Sequence, residues 1–337
     1  MDYFELKWDN DAKEREIFIK NLAPIVLFTY KRLEHTKKTV EALQKNIYAA
    51  DSDLYIYADA PKDGAAEDEV RAVREYIHSI TGFKNITIIE REKNYGLAEN
   101  IIDGVTRAVN TYGKAIVVED DIVTSPYFLK FMNDALTVYK DNEKVMAVSG
   151  FCSVDNREAA NGEVFFLPWS DCWGWATWDR SWQYFERNPQ KLYEYCTTHD
   201  MTLFNFYNSY PYAFEQVKQN YFGKLYTWAI FFHAMVLIHH GLVAYSSNAH
   251  AYNIGNDGTG TNCGNMDIKF SPLSSKPDNK FPKVPVINKE MEQQVAQYMK
   301  KYYTSPSICT RIARSYQQKG IIGVVEKMAK KFSGREK

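Results

Sequence analysis

Glu119, Asp120 and Asp121 stand side by side where an apolar run ends, in AIVVEDDIVTSPYFLKF. Adjacent carboxylates repel one another, and taking them out of water is costly unless a cation lies among them. Oxygen donors suit a hard divalent ion such as Mn²⁺ or Mg²⁺, which takes one or two carboxylates and completes its shell with water and substrate phosphate. Held there, such an ion bridges the protein to a diphosphate and neutralises charge on a leaving group. An acidic cluster can instead complement a helix dipole. That use fits less well, because Ser125 and Pro126 mark a later helix start as cap and first position.

Further along, CWGWATW puts Trp173 and Trp175 on either side of Gly174. Indole faces suit sugar rings as well as cores, and glycine permits close approach or an unusual backbone angle. The run NIGNDGTGTNCG (253–264), which includes Gly258, has few side chains to hold it down. It reads as a mobile lid that orders over a ligand and excludes water. His250 is a further base or ligand candidate, although a lone histidine at a strand edge is more often structural.

The elements that must position these groups alternate through the first half. Strand runs fall at 23–30, 54–59, 86–90, 115–119 and 144–150, and helical stripes at 33–46, 67–80, 96–110 and 125–140. This order predicts an α/β fold with a mostly parallel sheet flanked by helices. Such sheets bind ligands outside the carboxyl ends of their strands. Those ends read Tyr30-Lys31-Arg32, Asp59-Ala60-Pro61, Glu90-Arg91 and Glu119-Asp120-Asp121, which gathers scattered acids and bases at one rim. After residue 150 the chain turns aromatic and irregular, with one strand expected at 241–246. Four segments follow: an extension over 1–22, an α/β half over 23–150, an acceptor half with the glycine loop over 151–270, and an extended segment with basic helices over 271–337.

Bulk composition excludes some classes. With 41 Lys and Arg against 42 Asp and Glu, no global field draws the chain to nucleic acid. Cys152, Cys172, Cys196, Cys263 and Cys309 show no paired spacing, which favours reduced thiols and a cytoplasmic chain. The charged N-terminus lacks the apolar core of a signal peptide. TWAIFFHAMVLI (227–238) falls short of the roughly 20 residues a spanning helix needs, so it reads as a buried core helix. From Ser307 to Lys337 the tail carries eight Lys or Arg against two Glu. It reads as a solvated helix or as a basic surface that docks on an anionic membrane.

Taken together, FTYKRLEHTKKTVEAL, YADAPKD, NYGLAENIIDGVTRAV, VVEDDIVTSPYFLKFMNDAL, WGWATWDRSW and NIGNDGTGTNCG resemble the nucleotide-sugar glycosyltransferases of the GT-A fold. The resemblance runs from about Ala23 to Gly264. It is to bacterial polysaccharide-synthesis transferases distantly related to N-acetylglucosaminyltransferase I. It implies a sugar transferred from a nucleotide diphosphate, most often UDP, to a saccharide or lipid-linked acceptor, in the cytoplasm or at the inner face of the plasma membrane. It also implies roles. Arg32 contacts the nucleotide, Asp59 the base, and Gly96, Leu97 and Asn100 let the chain pass close to the nucleotide. Glu119 faces the donor sugar, Asp120 the ribose, Asp121 binds Mn²⁺ or Mg²⁺, Trp173 and Trp175 offer stacking faces, and Gly258 belongs to the lid.

One part of the pattern is missing. An inverting transferase needs a general base near the acceptor hydroxyl. The relatives place a carboxylate just before the tryptophan that opens the long apolar helix, where this chain has Tyr226 and Thr227 before Trp228. Asn256 and Asn262 stand where the relatives' loop often has histidine. Three explanations stay open: another acid, Asp179, Glu215 or Asp257, acts as base; the reaction is retaining; or the chain binds a donor and turns it over poorly. A nucleotidyltransferase is the rival enzyme, although FTYKRLEHT lacks the glycines of its phosphate loop.

Overall fold

The chain, described from a computed structural model over residues 2–151, 153–154, 163–260 and 272–303, builds one large sheet with helices on both faces. Its helices are α1 (Lys7–Asn10), α2 (Ala12–Lys20), α3 (Leu33–Gln44), α4 (Glu67–Ile77), α5 (Gly96–Tyr112), α6 (Phe128–Val138), α7 (Asp179–Trp182), α8 (Pro189–Thr198), α9 (Tyr212–Tyr221), α10 (Ala229–Ile238) and α11 (Lys289–Tyr303). Its strands are β1 (Ile25–Thr29), β2 (Asp53–Ala58), β3 (Asn85–Glu90), β4 (Lys114–Glu119), β5 (Ile122–Thr124), β6 (Val145–Ser149), β7 (Phe165–Leu167), β8 (Trp175–Trp178), β9 (Leu242–Tyr245) and β10 (Ala251–Asn253). The sheet order is β3-β2-β1-β4-β8-β6-β9-β7, and β5 pairs separately with β10.

The alternation expected from the sequence places β1 to β4 in parallel register. The apolar runs of the inner strands β1 and β4 are buried on both sides, as a sheet covered by helices on each face demands, while β3 at the edge stays largely open. The pleat sorts them. Ile25 and Leu27 join Ile116 and Val118 under α3, α4 and α6, while Val26 and Phe28 join Ala115 and Val117 under α5, α10 and α11.

Three of the eight strands, β7, β8 and β9, come from the half that the sequence pattern leaves irregular. WATW is β8, a four-residue strand wedged antiparallel between β4 and β6. Its length is too short for periodicity to signal it. The apolar segment around α10 is a buried core helix, as expected, and no helix of the described residues is long and apolar enough to cross a membrane. Helix α6 begins at Phe128, two residues later than its sequence signature, with Pro126 as first position, places it. Ser125 still accepts from the Tyr127 amide at 3.2 Å, but its hydroxyl is also bound to His250 Nδ1 at 2.7 Å. The basic tail, Cys152, Cys263 and Cys309, and residues 261–264 of the glycine loop lie outside the described residues.

Candidate active site

The carboxyl ends of β1, β2 and β4 open into a cavity of about 460 Å³. Nine of the residues expected at the site line it: Arg32, Asp59, Gly96, Leu97, Asn100, Glu119, Asp120, Asp121 and Trp173. The loop after β10 closes one side with Asn256, Thr259 and Gly260, and the second half supplies Ser170, Asp171, Tyr210, Trp228 and His233.

The acidic tip already holds a cation of its own. Arg32, one residue before α3, sets Nη2 between the carboxylates, 2.8 Å from Asp121 Oδ2 and in a short contact with Asp120 Oδ1. Burial works to lower the Arg32 pKa, but Asp120 and Asp121 outweigh it and hold the guanidinium above its ordinary value. One guanidinium does not satisfy three carboxylates. Burial, reinforced by Asp121 and Asp120, pushes Glu119 well above the usual carboxylate range. Burial also lifts Asp120 to about 6, with Arg32 pulling the other way. Asp121 Oδ1 and Arg32 Nη1 are both buried without a hydrogen-bond partner among the described residues. A buried unpaired polar atom is costly, so the pair marks a place where further charge belongs.

The loop after β10 packs directly on this tip. The Ile254 amide donates to the Asp121 carbonyl at 2.8 Å. Gly255 lies so close that an added Cβ would collide with Asp121 Oδ2 and come within 2.9 Å of Arg32 Nη1. The Asn256 amide, both of whose polar atoms are buried and unpartnered among the described residues, lines the cavity.

On the β2 side Asp59 is fully engaged. Its Oδ1 accepts from the amides of Ala60 (2.9 Å) and Tyr95 (2.8 Å), and its Oδ2 from the Gly96 amide (2.9 Å) and Asn94 Nδ2 (3.2 Å). A carboxylate has about four acceptor sites, so Asp59 shapes the 94–96 turn and has little capacity left for a base. Asn100 Oδ1 likewise accepts from Arg91 Nε at 2.9 Å, and Arg91 lies under the Tyr95 ring at 4.2 Å.

Five expected site residues are not in the cavity wall. Trp175 is the first residue of β8, 1% exposed and stacked on Trp228 with ring centres 5.2 Å apart, so its face is spent on the core. Asp179 follows β8 at the far end of β4, where its amide donates to the Gly113 carbonyl at 3.0 Å. Five strand steps separate that end from Glu119, roughly 17 Å. Glu215 is on α9, ion-paired with Lys218. Asp257 turns outward to His35, 3.1 Å away. Gly258 sits in the same loop with φ +86°.

Asp171 is the acid that sequence reasoning missed. Val117 pairs with Trp175, and β8 runs antiparallel to β4, so the chain before Trp175 runs toward the same rim as Glu119. Gly174 makes the bend, with φ +71° and a would-be Cβ 3.0 Å from the Phe128 ring. Asp171 Oδ1 accepts from Trp169 Nε1 at 3.2 Å. Its Oδ2 lies 3.3 Å from the Tyr245 hydroxyl, which is also 2.8 Å from the Trp169 carbonyl. Beside it, His233 is buried, with Nε2 3.1 Å from the Phe204 carbonyl and Nδ1 3.4 Å from Ser170 Oγ. Burial lowers its pKa to about 4. The signal for Asp171 was the register of WATW, legible only once that run is known to be a strand.

No protein-family model and no curated protein matches the chain. Among solved structures it is similar to mannosyltransferase PcManGT from Pyrobaculum calidifontis, in complex with GDP-Man and Mn²⁺, at 16% identity and TM-score 0.35, covering 48% of this chain and 46% of that one. It is also similar to S. aureus TarS at 11% identity and TM-score 0.37, covering 69% of this chain and 37% of that one. The matched region thus spans less than half the length of either structure.

Proposed function

We propose that the chain is a metal-dependent glycosyltransferase, moving a hexosyl or N-acetylhexosaminyl group from a nucleotide diphosphate donor, UDP-linked in our reading, to a saccharide or lipid-linked acceptor of bacterial surface polysaccharide. One observation carries the reading. Three carboxylates and a guanidinium converge at the carboxyl ends of parallel strands, in a cavity of ligand size, with Asp121 Oδ1 and Arg32 Nη1 buried and unmatched among the described residues.

The residues fit a hard cation. Asp121 would hold Mn²⁺ or Mg²⁺ through its unmatched oxygen. Among the described residues no group of three or more His, Cys, Asp or Glu could hold an ion, so water and diphosphate oxygens would complete the shell. When bound, the ion supplies positive charge for the departing diphosphate. Arg32 Nη1 donates to the same phosphates, which are the acceptors it lacks. Asp120 takes the ribose and Glu119 the donor sugar hydroxyls. Gly96, Leu97 and Asn100 wall the nucleotide, and Asp59 holds their turn in place rather than reading the base itself. Trp173 offers a ring to the sugar. The loop with Gly258 closes the cavity over the diphosphate and keeps water out. The basic tail is the candidate contact with an anionic inner membrane.

A second reading, a donor-binding protein that turns over poorly, draws on Tyr226 standing where an acid was expected; its hydroxyl donates to Glu99. Calorimetry with UDP, GDP, CMP and TDP, with and without Mn²⁺, separates the cases. The expected outcome is that one nucleotide binds only with Mn²⁺ and that Asp121→Ala weakens it at least about 100-fold. Binding without donor turnover favours the second reading. No binding by any of the four overturns both.

A further inference from the structure

We infer that Asp171 is the general base of the transfer and that the reaction inverts the anomeric centre. The inference rests on the glycosyltransferase reading and adds the residue and the stereochemistry to it. An acceptor hydroxyl is a poor nucleophile until a positioned group takes its proton, and that group must lie within hydrogen-bond reach of the acceptor oxygen. Of the acids that line the cavity, Asp120 and Asp121 share Arg32, Glu119 is held well above the usual carboxylate range by burial and by those two neighbours, and Asp59 is consumed by the 94–96 turn. Among the described residues, Asp171 is the acid that the second half contributes to the lining.

Its setting fits the role. The antiparallel register of β8 against β4 brings it to the rim of the acidic tip, beside Trp173. Trp169 Nε1 and the Tyr245 hydroxyl approach it from buried positions and fix the carboxylate. Neighbouring His233 is a poor rival: burial holds it neutral and weakly basic, and its Nδ1 faces Ser170. Asp179, Glu215 and Asp257 are turned away from the cavity.

In the step, the acceptor O–H bond breaks and its proton passes to an oxygen of Asp171. The oxygen's electron pair forms the new bond to the anomeric carbon. The bond from that carbon to the phosphate oxygen breaks on the opposite face, and its pair leaves with the nucleoside diphosphate. Asp171 then returns its proton to water.

Water at the acceptor position is activated by the same carboxylate, so slow donor hydrolysis reads the group before the acceptor is known. The full-length chain is given UDP-glucose, UDP-N-acetylglucosamine and GDP-mannose with Mn²⁺, and nucleotide release is followed together with proton NMR of the first-formed sugar. The expected result is that Asp171→Asn binds the nucleotide with Kd within about twofold of wild type and hydrolyses the donor at least about 100-fold more slowly. The wild type should release the β-anomer first from these α-linked donors. Unchanged nucleotide binding shows that the variant is folded. Hydrolysis by Asp171→Asn at the wild-type rate, first release of the α-anomer, or a wild type that binds a donor and hydrolyses none of the three overturns the assignment alone. A wild type that binds no nucleotide overturns the transferase reading, and this inference with it.

Discussion

A histidine in the cavity wall shows how one residue couples the site to stability. His233 sits against the Trp169 ring at 4.3 Å and hydrogen-bonds only weakly through Nδ1. Burial takes its pKa from 6.5 down to about 4. Between those values the unfolded chain binds the proton that the folded chain refuses. Stability is therefore complete above about pH 6.5 and is lost as pH falls toward 4, by roughly 3 kcal/mol in all. His233→Gln, which cannot titrate, should remove that slope. Urea unfolding of both proteins at pH 4.5, 5.5, 6.5 and 7.5 checks it, and an equal slope in the variant would refute the account. Arg32 belongs to the same scale. Its contact with Asp120 and Asp121 spans about 90 residues of sequence and gives the acidic tip its internal cation.

At the scale of the element, the loop leaving β10 packs directly on the acidic tip through Ile254 and Gly255. Its glycines read as freedom in the sequence, yet Gly255 is there for closeness: a Cβ would meet Asp121 Oδ2 and Arg32 Nη1 at once. Neither neighbour can withdraw without breaking the ion pair. Gly255→Ala should therefore cost about 1–3 kcal/mol, as overpacking does, and weaken Mn²⁺-dependent nucleotide binding about tenfold or more. Gly64→Ala, where nothing lies within 4 Å of the new atom, is the matched control and should change neither. Thermal unfolding and calorimetry on both variants decide it. A Gly255→Ala protein that behaves like the control would mean the loop yields easily.

The whole molecule is tied shut by a buried polar relay far along the chain. Ser125 Oγ meets His250 Nδ1 at 2.7 Å, and His250 Nε2 meets Asp278 Oδ2 at 2.5 Å. The other carboxylate oxygen takes Ser246 Oγ at 2.7 Å and Asn248 Nδ2 at 3.0 Å. The three residue types are those of a hydrolytic triad, but His250 and Asp278 are sealed from solvent. The relay joins the start of α6, the entry to β10 and the segment that crosses back to α11. Asp278→Ala strands several buried donors together and should cost about 3–5 kcal/mol. Hydrogen exchange should quicken first over 272–288. A loss below about 1 kcal/mol, with no change in exchange, would show that the relay holds nothing.

Much of the frame is written in the chain itself. Apolar runs of five or six residues alternating with 3.6-residue stripes dictate the parallel strands from β1 to β4, because each pattern buries its apolar side only in that form. The acid run at the end of β4 then falls at the cavity rim, and with it Arg32, Asp59 and Asn100. Other features depended on distant pairings that no local pattern encodes. WATW is short and aromatic, so its insertion between β4 and β6 comes from the strands on either side rather than from its own period. That insertion buries Trp175, carries Asp179 to the wrong end of β4 and brings Asp171 to the right one. Asp59 looked like a base reader by position, but the fold spends its carboxylate on the amides of Ala60, Tyr95 and Gly96 and on the Asn94 side chain. The local sequence set which elements form and what chemistry their ends bear. Only the tertiary structure decided which of those groups meet, because the register between strands distant in sequence is a property of their packing.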